Sequence, residues 1–294
     1  MHQIEKTYID IERRLSGISD YLNYKSANEG NIPPNPARLK QIIELFRRII
    51  FPEYYNEKRL EVGVLLEELE IVLTEQIADA LSFFAEQAGD RTENDAAKLA
   101  TAALEKLPEV QRLLYTDVYA MCNNDPAARS YGEVILCYPC IQAMTHYRVA
   151  HELLLLGIPV IPRIITELAH STYGIDIHPA AQIGEYFSID HGTGVVIGET
   201  CIIGSHVHLY QGVTLGARSF TYDERGNPLN VPRHPIIEDN VVIYSNSTVL
   251  GRITIGHDSV IGGNVWLTNS VPPYSRIIQH RASTTGETRT GKSK

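Results

Sequence analysis

Cysteine is scarce: Cys122, Cys137, Cys140 and Cys201 are the only four in 294 residues, too few for the disulfide framework of a small secreted domain. Basic runs are lacking as well. No stretch of five or more Lys/Arg occurs and the formal net charge is -9, which argues against a nucleic-acid footprint. No apolar run approaches the roughly 20 residues of a membrane span, and no charged start leads into a short apolar stretch and a cleavage site, so a cytoplasmic protein is expected. What the chain does have is length and 44% hydrophobic residues, enough for two domains with separate cores.

The first 170 residues read as helices. Asn35 and Pro36 form a cap and first-turn pair before an apolar face of Leu39, Ile42, Ile43, Phe46, Ile49 and Ile50. Leu65, Leu69, Leu73, Ile77 and Leu81 continue at helical spacing, a pattern usually spent on packing, often between subunits. Asp125 and Pro126 repeat the cap-then-proline signal and open a helical region reaching Leu156. Ile161 to His170 forms a last helix.

From Ile177 to Val271 a different rule takes over, with an aliphatic residue at every sixth position. Ile177, Ile183 and Ile189 hold one phase, Ile197, Ile203, Leu209 and Leu215 a second, and Ile237, Ile243, Val249, Ile255, Ile261 and Leu267 a third. A six-residue period is that of a left-handed parallel β-helix, in which three hexads close one coil and each aliphatic residue stacks on its counterpart one coil away. The residues four places on (Ala181, Phe187, Thr193, Val207, Val213, Val241, Ser247, Ile253, Ser259, Val265) also read as interior. Gly184, Gly198, Gly204, Gly256 and Gly262 read as corners where the backbone is left-handed or crowded. The domains are therefore 1–170, helical, and 171–273, a β-helix. Pro272 and Pro273 end the array, leaving 274–294 as a flexible tail.

Two phase breaks mark the functional face. The step from Ile189 to Ile197 is eight residues, with Asp190, His191, Gly192 and Thr193 beside the excess. The step from Leu215 to Ile237 is twenty-two, so the segment 216–236 leaves the prism as a loop.

The motifs Asp176-Ile177-His178-Pro179-Ala180-Ala181, Ile189-Asp190-His191-Gly192-Thr193-Gly194, the run Val195 to Thr200, Gln211-Gly212-Val213-Thr214-Leu215-Gly216 and Arg233-His234-Pro235 stand in an order and spacing that closely resemble the serine O-acetyltransferases, over about 125–273. The resemblance implies transfer of acetyl from acetyl-CoA to L-serine. His191 matches the catalytic base, and an imidazole titrates near neutral pH. Asp176 matches its carboxylate partner, fifteen residues away and expected on a neighbouring coil. Asp125 and Asp190 match the ammonium-binding carboxylates, Arg233 and His234 the carboxylate-binding pair; Asp125 also reads as a helix cap. Ala217, Arg218, Tyr244, Ser245 and Gly263 match positions near CoA. The family's site lies between subunits of a trimer, and the helical domain is expected to pair trimers. The resemblance also implies cysteine synthase as a partner, through a C-terminal isoleucine that many relatives insert into it and that the ending Gly291-Lys292-Ser293-Lys294 lacks.

Other readings compete. Cys137 and Cys140 have the spacing of redox and zinc motifs, but no second pair accompanies them, and both read as buried or capping thiols. His206 and His208, on one side of a strand, would be a metal pair if the prism were that of a γ-class carbonic anhydrase. A hexapeptide acyltransferase with another small acceptor is the nearer alternative. The acetyltransferase reading needs no metal.

Overall fold

A computed structural model describes residues 2–19 and 31–279; of the tail 274–294 expected to be flexible, residues 280–294 lie outside them. The chain divides into two compact units, Met1–Arg112 with Thr145–Leu168, and Leu113–Met144 with Ala169–Lys294. Leu113–Met144 thus belongs to the β-helical unit, a different division from a boundary at residue 170.

The helices are α1 (His2–Ser19), α2 (Pro36–Ile50), α3 (Pro52–Tyr55), α4 (Val62–Phe83), α5 (Ala85–Ala88), α6 (Ala96–Glu105), α7 (Leu107–Asn124), α8 (Tyr131–Cys137), α9 (Pro139–Leu155) and α10 (Ile161–Tyr173). In the first unit α4 packs against α2 and α6. Asn35 caps α2 as expected, its Oδ1 accepting from the Ala37 N–H at 2.9 Å. The predicted faces are buried at Leu39, Ile42, Ile43, Phe46 and Ile50 and at Leu65, Leu69, Leu73, Ile77 and Leu81.

One helix start differs. Asp125 follows the end of α7 and caps nothing; the next helix, α8, begins six residues on, capped by Ser130, whose Oγ accepts from the Glu133 N–H at 3.1 Å. Glu133 reaches back to the Arg129 N–H at 2.9 Å, so Ser-x-x-Glu was the stronger start signal. Tyr138 then ends α8 in an extended conformation that the following Pro139 favours, and Pro139 opens α9.

The second unit contains the parallel β-helix. Its first sheet stacks β1 (Ile175–Ile177), β4 (Val195–Ile197), β7 (Thr214–Gly216), β10 (Thr248–Leu250) and β13 (Trp266–Leu267). The second stacks β2 (Gln182–Ile183), β5 (Ile202–Ile203), β8 (Ile236–Ile237) and β11 (Thr254–Ile255); the third stacks β3 (Ser188–Asp190), β6 (His208–Tyr210), β9 (Val242–Ile243), β12 (Val260–Ile261) and β14 (Arg276–Ile277). Every pairing is parallel, and the register joins the hexad aliphatics: Ile177 with Ile197, Ile197 with Leu215, Ile203 with Ile237, Leu209 with Ile243. These side chains are buried, and Leu267 is half-buried at the end of its sheet.

Four expectations are revised. Thr193 is exposed, because the extra residues of the first break carry it outside, while Cys201 fills an interior place. The glycines after the aliphatics are crowded but not left-handed: a Cβ on Gly184 would fall 2.7 Å from the Gly204 backbone in the next coil. Left-handed corners are held instead by Tyr186, His206, Asn240, Asn246, Asp258, Asn264 and Tyr274. Finally, β14 pairs with β12, so the array runs past Pro273 to Ile277, and the loop between β7 and β8 is 217–235.

Crowding separates two substitutions. Gly184→Ala forces the backbones of adjacent coils apart and should cost about 1–3 kcal/mol, whereas Gly63→Ala in α4 meets nothing within 4 Å and should leave stability unchanged or slightly raised. Chemical denaturation of both variants checks this; equal losses would contradict it.

Candidate active site

The site residues of the second unit fall at two corners of the prism. The first joins the third sheet to the first. Here β3 delivers Asp190, and His191 follows in the left-handed region (φ 57°), exposed, with Nε2 3.6 Å from Asp190 Oδ1. Gly192 (φ 85°) makes the turn possible for a second reason: a Cβ there would sit 2.5 Å from Ile175 Cδ1 and 3.2 Å from Cys140 Sγ.

Three bonds tie α7 to the coil that ends in this corner. Thr116 Oγ1 accepts from the Tyr186 N–H and Asp117 Oδ1 from the Phe187 N–H, both at 3.1 Å, and Asn124 Nδ2 donates to Ser188 Oγ at 2.8 Å. Asp125, next in the chain, accepts from the Ala127 N–H at 2.8 Å and from the Tyr138 hydroxyl at 2.5 Å. The Tyr138 bond, then the Ala127 bond, hold its carboxyl below the usual range, with the nearby His191 charge assisting, so Asp125 is an anion. Ser188 Oγ also lies 2.6 Å from Nδ1 of buried His208, whose ring burial drives below the ordinary histidine range.

Asp176 lies on β1, and the residue stacked on it is Val196, not His191. His191 belongs to the corner that feeds β4; that corner rests on the start of β1, where the Gly194 N–H donates to the Gly174 carbonyl at 2.8 Å.

The second corner joins the first sheet to the second, at the other end of β4. Arg233 donates to Glu199 Oε2 at 2.5 Å, and its backbone N–H donates to Thr200 Oγ1 at 2.9 Å. His234 is buried, and its Nδ1 accepts from the Thr200 N–H at 3.1 Å, which places the ring proton on Nε2. Burial, then the Arg233 charge, brings its pKa down to about 4. Gly198 is required beneath it, because any Cβ there would collide with the His234 ring.

The remaining positions divide the same way. Tyr244, Ser245 and Gly263 follow the first corner up the coils: the Asn246 N–H donates to the Gln211 carbonyl and the Asn264 N–H to the Ser245 carbonyl, both at 2.9 Å. Tyr244 stacks on Tyr210 with ring centres 4.7 Å apart, and a Cβ on Gly263 would lie 3.3 Å from the Ser245 carbonyl oxygen. Ala217 and Arg218 leave from the second corner. The loop they begin is a tight hairpin: Tyr222 pairs with Pro228, and Asp223 accepts from the Arg225 and Asn227 N–H groups, each at 2.8 Å.

Cys140 is buried under the first corner with its thiol pushed up to about 12, by burial first and by Asp190 second; Cys137 is exposed, so only one of the two is an interior thiol. His206 stacks on Tyr186 (4.4 Å, 6°) in the turn before β6, whereas His208 turns to Ser188, so they do not share a strand face. Tyr138, Asn124 and Ser188 have no signal of their own in the sequence, and Glu199 and Thr200 are marked only by the run Val195 to Thr200 that they close. Among the described residues no helix is long and apolar enough to cross a membrane.

The stacked hexads are those of a hexapeptide-repeat protein, and residues 234–269 match the family model of the bacterial transferase hexapeptide (six repeats). The chain is 47% identical to a serine acetyltransferase, plasmid, of Synechococcus elongatus, over 84% of this chain and 82% of that protein. It therefore belongs to the serine acetyltransferase family. Among solved structures, a serine acetyltransferase isoform 3 from Entamoeba histolytica in complex with cysteine superposes with a TM-score of 0.72 at 35% identity, covering 90% of this chain and 89% of that one. A Neisseria gonorrhoeae serine acetyltransferase in complex with serine gives 0.55 at 25% identity, covering 83% and 97%.

The depressed His234 value sets a pH dependence. A histidine neutral in the fold but protonated when unfolded costs nothing above its unfolded pKa, near 6.5, and destabilises as pH falls from there towards about 4. Between pH 7.5 and 4.5 this amounts to about 2 kcal/mol. His234→Gln should flatten acid destabilisation over that interval in thermal unfolding; an unchanged profile would contradict the assignment.

Proposed function

We propose that the chain transfers the acetyl group of acetyl-CoA to the hydroxyl of L-serine, giving O-acetyl-L-serine and CoA, in cysteine biosynthesis. The observation that carries this is the pairing of an anionic corner bearing an exposed imidazole with a corner bearing a guanidinium and a neutral Nε2–H donor. L-serine needs that charge pattern around its hydroxyl.

His191 is the general base. As the serine oxygen bonds to the thioester carbonyl carbon, its proton passes to the imidazole; when the adduct collapses, the C–S bond breaks and the departing CoA sulfur takes that proton. Asp176 orients the ring. Asp125 and Asp190 hold the ammonium. Arg233 and His234 hold the carboxylate, Arg233 exchanging its Glu199 contact for the substrate. Acetyl-CoA runs along the coils against Tyr244, Ser245 and Gly263, with Ala217 and Arg218 on its other side.

The corners are separated by β4. From Gly194 to Gly198 is four residues, about 13 Å of extended chain, more than one serine can span. We infer that a second copy supplies the missing half, giving a homotrimer whose sites lie between subunits, with the helical unit pairing trimers in the cytoplasm.

Thiol release from acetyl-CoA should depend on L-serine and fall at least about 100-fold in His191→Ala, with L-homoserine and no acceptor as controls. Serine-independent release, or release equal in wild type and variant, would overturn the reading. Arg233→Ala should raise the KM for L-serine about tenfold or more and leave that for acetyl-CoA within about twofold; an unchanged KM for L-serine would favour another acceptor.

A further inference from the structure

The Tyr138-Pro139-Cys140 segment has no part in the chemistry above, yet it touches the first corner twice. Pro139 holds Tyr138 extended between α8 and α9, and Cys140, two residues on, is buried against Gly192, immediately after His191. Tyr138 itself is half-buried, and its hydroxyl donates to Asp125 Oδ2 at 2.5 Å.

Asp125 has little else to hold it. It stands after the last turn of α7, in a turn closed by its own Oδ1 and the Ala127 N–H. That bond fixes one carboxylate oxygen. A carboxylate that must meet an ammonium needs its second oxygen fixed as well, because each free torsion lost on binding weakens the complex. Tyr138 is the protein donor to that second oxygen.

We propose that Tyr138 is a positioning residue for amino-acid recognition: its hydroxyl holds the Asp125 carboxylate in the orientation that receives the substrate ammonium. The inference rests on the reading of Asp125 as part of the serine site. The same bond favours the anion, and the phenol correspondingly loses its proton only well above the usual tyrosine range, so donor and acceptor keep these roles throughout the working pH of the enzyme. Asp190 is among the charges that hold the phenol neutral. The segment also couples recognition to catalysis, since one short corner carries the strut for Asp125 at Tyr138 and the packing under Gly192 at Cys140.

The test is a double-mutant cycle on the full-length enzyme with Tyr138→Phe, Asp125→Asn and the pair. Tyr138→Phe removes one oxygen; it should raise the KM for L-serine about tenfold, with kcat and the KM for acetyl-CoA within about twofold. In the Asp125→Asn background the same change should add less than about twofold. Calorimetric L-serine binding to Tyr138→Phe should also begin to weaken at a higher pH than in wild type, because Asp125 loses the donor that keeps it ionised. An unchanged KM, a loss confined to kcat, or full additivity with Asp125→Asn would overturn the proposal while leaving the serine site standing. If Asp125→Asn itself leaves the KM for L-serine unchanged, the assignment of Asp125 fails and this proposal fails with it.

Discussion

One constraint governs the catalytic unit: in each hexad an aliphatic side chain must lie on its counterpart in the next coil. The register joins Ile177 to Ile197 and then to Leu215, Val249 and Leu267 along one sheet, and the other sheets repeat it. A single-residue slip would turn this column outward along the whole face. Extra residues can therefore be accommodated only at corners, and both insertions in the repeat occur there. Corners are where side chains escape the stacking rule, so they are where charge and chemistry collect.

The two corners are electrostatically opposite. One holds Asp125, Asp190 and the exposed His191; the other holds Arg233 beside a His234 kept neutral by burial and by the Arg233 charge. Each side chain is prepared by a neighbour: Tyr138 for Asp125, Glu199 for Arg233, Gly192 for the turn after His191. Such preparation reduces the ordering cost when a small polar substrate arrives. A single chain nevertheless leaves the halves at opposite ends of β4.

Period six was readable residue by residue because stacking leaves one unmistakable aliphatic per hexad, and the breaks were readable because they interrupt it. What stayed hidden depended on contacts across long sequence separations. Asp125 looked like a helix cap because Asp-Pro is a start signal; in the fold its carboxylate is occupied by Ala127 and Tyr138, and Ser130 with Glu133 begins the helix instead. Thr193 fell on an interior period but belongs to the inserted corner, and Pro272-Pro273 looked like an end although β14 still pairs with β12. The stacking of Asp176 on Val196 likewise follows from a twenty-residue first coil, which the eight-residue step implies once the corner is counted.

An active site divided between corners takes its two halves from two chains. Subunit complementation tests it most directly: His191→Ala and Arg233→Ala are each purified, then unfolded and refolded together in equal amounts. If each site takes His191 from one chain and Arg233 from another, about a quarter of all sites in the randomly mixed population are intact, and serine-dependent thiol release returns to a comparable fraction of wild type. Recovery no greater than the sum of the two variants refolded alone would mean that one chain builds the whole site, and the account would be wrong.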